Sequence, residues 1–160
     1  NFEVLKKKLP RWDNVTIENY ALAAEGGQAT IALQADSQTN SLQNLTENPA
    51  SANTEVIEIT TLDDYIRSKN IEQIDLLKID VEGFEIQVLT GAKETLAKKR
   101  IRMILAEASL EKTDKTHTQL SAIQSFLEPY HFNLIGIYDQ VMFEQPSRLG
   151  FFNALFIQVN

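Results

Sequence analysis

The sequence predicts an α/β fold, the second half of a doubly wound sheet, and three observations carry that expectation. The apolar run Ile74 to Ile79 is bounded by polar residues and is too short for a typical helix, which is the pattern of a strand buried on both faces in a parallel sheet. Val88, Leu89, Ala92 and Leu96 follow it as one apolar stripe at helical spacings of three and four. Further along, the order strand, helix, strand, helix and then two strands matches the closing half of such a sheet.

Taken in chain order, the elements begin with a short helix near Phe2 to Leu9, with Lys6, Lys7 and Lys8 on its solvated face and Trp12 as an anchor. Asn14 to Tyr20 alternates like a strand, Glu25-Gly26-Gly27 supplies a turn, and Gln28 to Leu33 alternates again, so a hairpin is expected there. Residues 36–54 are mostly Ser, Thr, Asn and Gln and read as a long surface loop. Val56 to Ile59 is a short strand. Thr60 or Thr61 caps a helix from Leu62 to Lys69, with Asp63 and Asp64 in its first turn. After the central strand and its helix, which Lys98, Lys99 and Arg100 close, Met103 to Ala106 forms a buried strand ending at Glu107. Leu120, Ile123, Phe126 and Leu127 mark an amphipathic helix that Pro129 stops. Phe132 to Ile137 and Phe151 to Val159 complete the strands.

The candidate site lies where the central strand ends, in Asp80-Val81-Glu82-Gly83-Phe84-Glu85. Ligands of open α/β sheets sit beyond the carboxyl ends of the strands. Asp80 is expected at the strand tip, Gly83 in a tight turn and Glu85 in the first helical turn, on the inward face because it precedes Leu89 by four. Crowded carboxylates raise one another's pKa and so move toward useful bases. The bland alternatives are that Glu82 and Glu85 only favour a helix N-terminus, and that Lys78 neutralises Asp80 or Glu107. A divalent cation on Asp80, Glu82 and Glu107 is chemically feasible; the sequence does not separate it from a metal-free base, and no metal site is assigned. His117 and His131 have no metal-ligand spacing to another histidine and are assigned surface roles, His117 at a solvated helix start. No nucleophile elbow of a serine hydrolase is present.

Leu76-Leu77-Lys78-Ile79-Asp80-Val81-Glu82-Gly83-Phe84-Glu85, followed by Val88-Leu89-Thr90-Gly91-Ala92, resembles the central motif of the FkbM family of S-adenosylmethionine-dependent methyltransferases. Thr61-Leu62-Asp63-Asp64-Tyr65 upstream, and Ile104-Leu105-Ala106-Glu107 and Gly150 to Phe156 downstream, are similar to its flanking segments. The resemblance implies a Rossmann-like class I methyltransferase sheet closed by an antiparallel hairpin. The family opens with a strand and glycine-rich turn that hold the methionine end of the cofactor, whereas the first glycines here are Gly26 and Gly27. The expectation is therefore one domain over 1–160, lacking the first two strands of that sheet.

The resemblance further implies O-methylation of a sugar or small-molecule hydroxyl, with S-adenosylmethionine as cofactor. An alcohol must lose its proton to become nucleophilic, so Asp80, Glu82 and Glu107 are the expected catalytic residues, Asp80 foremost. Asn19, Tyr20 and Ala21 resemble the turn beside the adenine and, with Asp80, are the expected cofactor contacts. A reading from another class is a non-catalytic binding or assembly module derived from the same half-domain.

Composition bounds these readings. At 160 residues, with 43% apolar and 23% charged, the chain has the balance of one ordinary globular domain. It has no cysteine, which rules out disulfides and thiolate metal sites. The net charge of -7 argues against nucleic acid. No apolar run approaches the ~20 residues of a membrane helix, so no membrane partner is expected and a cytoplasmic location is the default. Homo-oligomerisation through unpaired strand edges is a further expectation.

Overall fold

The computed structural model describes residues 2–8, 13–32, 54–144 and 147–159. Helix α1 (Phe2–Lys8) buries none of its residues. Trp12 and residues 36–53 of the expected loop lie outside the described residues, and Thr54, its last residue, is in a strand.

A first sheet holds β1 (Ala21–Leu22), β2 (Gly27–Ala32) and β3 (Thr54–Thr60) in the order β1-β3-β2. β3 pairs parallel to β1 and antiparallel to β2. This corrects the expected hairpin: residues 15–20 belong to no strand, and β3 stands between β2 and the short β1 that follows them. The reason is the number of ladder bonds available. β1 has two residues, whereas the seven of β3, with Val56, Ile57 and Ile59 suited to a pleated surface, offer β2 a full ladder from Gly27↔Ile59 to Ala32↔Thr54.

Thr61 caps α2 (Leu62–Lys69) as its sequence suggests, its hydroxyl accepting from the Asp64 N–H at 3.0 Å. The chain then enters β4 (Ile74–Ile79), the broken helix α3 (Glu85–Thr90) and α4 (Lys93–Ala97), β5 (Ile101–Ser109), α5 (Leu120–Leu127), a 3₁₀ turn containing Pro129, and the hairpin β6 (Phe132–Glu144) and β7 (Ser147–Gln158). The second sheet runs β4-β5-β7-β6, with β4 parallel to β5 and the other pairs antiparallel. This mixed sheet, closed by the expected antiparallel hairpin, is the architecture of a class I methyltransferase-like fold. β4 differs from expectation in being only partly buried, Leu76 being 49% exposed. Among the described strands it pairs with β5 alone.

The core is where the helices meet the second sheet, with Leu89, Ile104, Ile123, Leu127, Phe152 and Phe156 buried. The predicted stripe Val88, Leu89, Ala92 and Leu96 is buried throughout. Its helix breaks at Gly91 because the first sheet presses against it there. A Cβ on Gly91 would lie 2.1 Å from the carbonyl oxygen of Ala23. Asp63 secures the second piece, accepting from the N–H groups of Glu94 and Thr95 at 2.9 and 2.8 Å. Gly91→Ala must therefore push backbone away from backbone and is expected to destabilise the protein by about 1–3 kcal/mol, read as a lower urea midpoint at unchanged m-value. No helix among the described residues is long and apolar enough to cross a membrane.

Candidate active site

β4, β5 and β7 bring their predicted residues to one end of the second sheet. Ile79 pairs with Ala106, so Asp80 leaves β4 beside Glu107, and Glu107 pairs in turn with Asn153 of β7. Lys78 bridges this row, its Nζ donating to Asp80 Oδ2 at 3.0 Å and to Asn153 Oδ1 at 2.9 Å. Asn153 Nδ2 donates to Asp139 Oδ2 at 2.9 Å. Asp80 is thus exposed and ion-paired.

The chain turns immediately after Asp80. Glu82 has a φ of 52° and Gly83 of 84°, so two consecutive left-handed residues make the corner, where only the glycine was expected. Glu85 ties it down. Its side chain is fully buried, with Oε1 accepting from the N–H groups of Val81 at 3.4 Å and Gly83 at 3.3 Å, and Oε2 accepting from the Thr118 hydroxyl. The inward placement read from its spacing to Leu89 has this reason: the carboxylate staples the corner to the segment before α5.

Residues 110–119 close the other side. Buried Ser109 donates to the Gly150 carbonyl at 3.0 Å and accepts from the Glu111 N–H at 3.1 Å, while its own N–H donates to the Thr118 carbonyl at 2.9 Å. Within the segment, Asp114 Oδ1 accepts from the N–H groups of Thr116 and His117 at 2.8 and 3.0 Å. Asp114 Oδ2 lies 2.9 Å from His117 Nδ1. The His117 ring stacks on Phe151 with centroids 4.3 Å apart. The surface role assigned to His117 is therefore corrected, since its side chain is only 10% exposed and its Nε2 stands 3.7 Å from Glu107 Oε2. A sequence scan for histidine pairs misses it because its neighbours are carboxylates distant in the chain. The available signal was Asp114, whose side chain folds its own segment into a turn and so aims the ring.

Ligating atoms of Glu82, Glu107 and His117 all lie within 4.8 Å of one another. Burial raises the Glu107 pKa, reinforced by the charges of Asp80 and Glu82 and opposed by His117 and Lys78. Burial likewise raises that of Glu82, with His117 opposing and Asp80 and Glu85 reinforcing. Burial also acts on Asp114, but the hydrogen bonds from His117 and Thr116 outweigh it and hold its pKa below the ordinary carboxylate value. Such a cluster can take a proton from a neutral donor, or hold a cation.

Next to the cluster, between the two sheets, is a cavity of about 490 Å³, within the range of small-molecule sites. Its lining includes Tyr20, Ala21, Leu77, Asp80, Glu82 and Val88. Three of the four expected cofactor contacts, Tyr20, Ala21 and Asp80, therefore line the same cavity, whereas Asn19 is exposed and lies outside that lining.

Comparison with known proteins agrees with this architecture. The family described as the methyltransferase FkbM domain matches residues 1–134. A curated relative, the 2-O-methyltransferase NoeI of Sinorhizobium fredii (strain NBRC 101917 / NGR234), is 36% identical over 74 residues, which are 46% of this chain. The match spans 30% of that relative's length. No solved structure matches the chain.

Proposed function

Since the chain belongs to the FkbM family of S-adenosylmethionine-dependent methyltransferases, we propose that it methylates the hydroxyl of a sugar or small-molecule alcohol. The observation that carries this reading is the meeting of a ligand-sized cavity with carboxylates of raised pKa at the carboxyl end of β4 and β5. Likeness to a 2-O-methyltransferase supports oxygen as the acceptor atom. We read the four-stranded sheet as the second half of a doubly wound sheet.

The residues present fit the adenosine end of the family's cofactor, while the glycine-rich turn that would hold its methionine end is not among them. The cavity wall is largely apolar at Leu22, Ile57, Leu77 and Val88, as an adenosine requires, with the exposed ring of Tyr20 at its rim. Asp80 and Glu82 place negative charge where a sulfonium would gain from it. When bound, S-adenosylmethionine would supply an electrophilic methyl group, the electron pair of its carbon–sulfur bond staying on sulfur. The acceptor oxygen forms the new bond to carbon, and its proton passes to a carboxylate oxygen of Glu107, with Glu82 beside it. Asp114 holds the His117 ring against Phe151, and that ring walls off the acceptor side of Glu107 from water.

The test is methyl transfer by the full-length protein to a panel of sugars and alcohols, with S-adenosylhomocysteine release as the readout. Acceptor-dependent release supports the proposal, and transfer only to nitrogen or carbon acceptors sinks it. Tyr20→Ala is expected to weaken cofactor binding by up to about tenfold, the value of one aromatic contact, with little change in kcat. Isothermal titration measures the first quantity and saturating turnover the second.

A further inference from the structure

The His117 ring brings a nitrogen to the carboxylate cluster that the methyl-transfer reading leaves without a chemical role. With Nδ1 placed 2.9 Å from Asp114 Oδ2, the neutral ring carries its proton on Nδ1 and turns the lone pair of Nε2 toward Glu107. The 3.7 Å from Nε2 to Glu107 Oε2 is too long for a hydrogen bond. Glu82 converges on the same point, the three ligating atoms lying within 4.8 Å of one another. Ligating atoms from three separate segments of the chain thus meet at one half-buried point, the arrangement that a bound cation joins.

We propose that Glu82, Glu107 and His117 form a binding site for a divalent first-row transition-metal ion, Zn²⁺ or Mn²⁺. One imidazole nitrogen with two carboxylate oxygens suits such ions better than the all-oxygen set preferred by Mg²⁺. The spacing is also suitable. Bonds of about 2.0–2.2 Å put ligand atoms of one tetrahedral ion about 3.3–3.6 Å apart, so His117 and Glu107, at 3.7 Å, are nearly in place, and side-chain rotation of Glu82 closes the set around a cation. Asp114 completes the arrangement as the outer carboxylate that fixes the ring and its tautomer, the part such partners play at histidine metal sites. His117 is nine-tenths buried and is gripped by Asp114 and Phe151, so the ring is oriented before any ion arrives.

Three protein ligands leave coordination positions open. An acceptor hydroxyl bound there would lose its proton more readily, and each carboxylate keeps a second oxygen to receive it. The inference thus deepens the methyl-transfer reading at the same cluster, but binding of the ion is measured without cofactor or acceptor, so either can fail alone.

The experiment is isothermal titration of the chelator-treated full-length protein with Zn²⁺, Mn²⁺ and Mg²⁺ in turn. Zn²⁺ or Mn²⁺ is expected to bind at one equivalent, and more tightly than Mg²⁺. His117→Ala and Glu82→Gln, each checked for folding by circular dichroism, should weaken binding at least 100-fold. Asp114→Asn should weaken it about 10–100-fold, while Glu94→Gln on α4 leaves it unchanged. Absence of saturable binding in the wild type overturns the proposal. So does binding that survives both His117→Ala and Glu82→Gln, or a preference for Mg²⁺ that ignores His117.

Discussion

Glu107→Gln is expected to lower kcat by about 10²–10⁴-fold, the usual contribution of a positioned acid or base, while cofactor affinity changes little. The glutamine keeps the shape and one acceptor oxygen but cannot take a proton. Glu107 is favoured over Asp80 for this role on the geometry. Its side chain is 12% exposed and faces Glu82 and His117, whereas Asp80 is solvated and ion-paired to Lys78. Asp80→Asn should accordingly cost less in kcat than Glu107→Gln. The pH profile provides a second readout. Burial, reinforced by Asp80 and Glu82, raises the pKa of Glu107. In the chelator-treated, metal-free protein the acid limb of kcat/KM should therefore fall above the ordinary glutamate value of about 4.3. Activity rises as pH climbs through that limb and the base ionises, and the limb should vanish in Glu107→Gln. A near-normal kcat in that variant, with a large loss in Asp80→Asn, would return the base to the strand tip.

Glu85→Ala should be the most destabilising of the substitutions considered, by about 3–5 kcal/mol. It withdraws the acceptor from the Gly83 N–H and the Thr118 hydroxyl at a fully buried position. Each buried donor left without an acceptor costs about 1–3 kcal/mol, and the vacated volume adds to it. Glu85→Gln is the control, because its amide oxygen still serves the backbone donors while its NH₂ can donate to Thr118; it should cost about 1 kcal/mol. Urea unfolding of both variants checks this. Equal losses would mean that the charge of Glu85 matters more than its hydrogen bonds.

Much of the fold was legible because local chemistry and burial agreed. Thr61 caps a helix wherever a threonine precedes acidic first-turn residues, and the stripe from Val88 to Leu96 has only one face to bury. The strand order inside the first sheet was not legible, because alternation in residues 14–20 and 28–33 says nothing about which strand supplies the ladder. β3, beyond the segment 33–53, does so. In the site, Glu82, Glu107 and Asp80 could be read from the ends of two apolar strands. His117 could not, because its burial comes from Phe151, Asp114 and Glu107 meeting in space. The inward face of Glu85 followed from helical spacing, but its bond to Thr118 crosses 33 residues and has no local trace.

The two sides of the site are built from different kinds of chain. The cavity side rests on sheet and helix, at β1, β3, β4 and α3, and is locked to the core through the contact of Gly91 with Ala23. The other side depends on one segment, 110–119, anchored at its base by Ser109 and Thr118 and along its length by the ion pair of Glu111 with Arg148 and the stacking of His117 on Phe151. Exchanges at its exposed residues Lys112, Thr113, Lys115 and Thr116 need disturb no buried residue, since surface loops tolerate change far better than packed elements do. In evolutionary terms, relatives differing mainly at those four positions are expected to diverge in acceptor choice while keeping Asp114, His117 and the cavity unchanged.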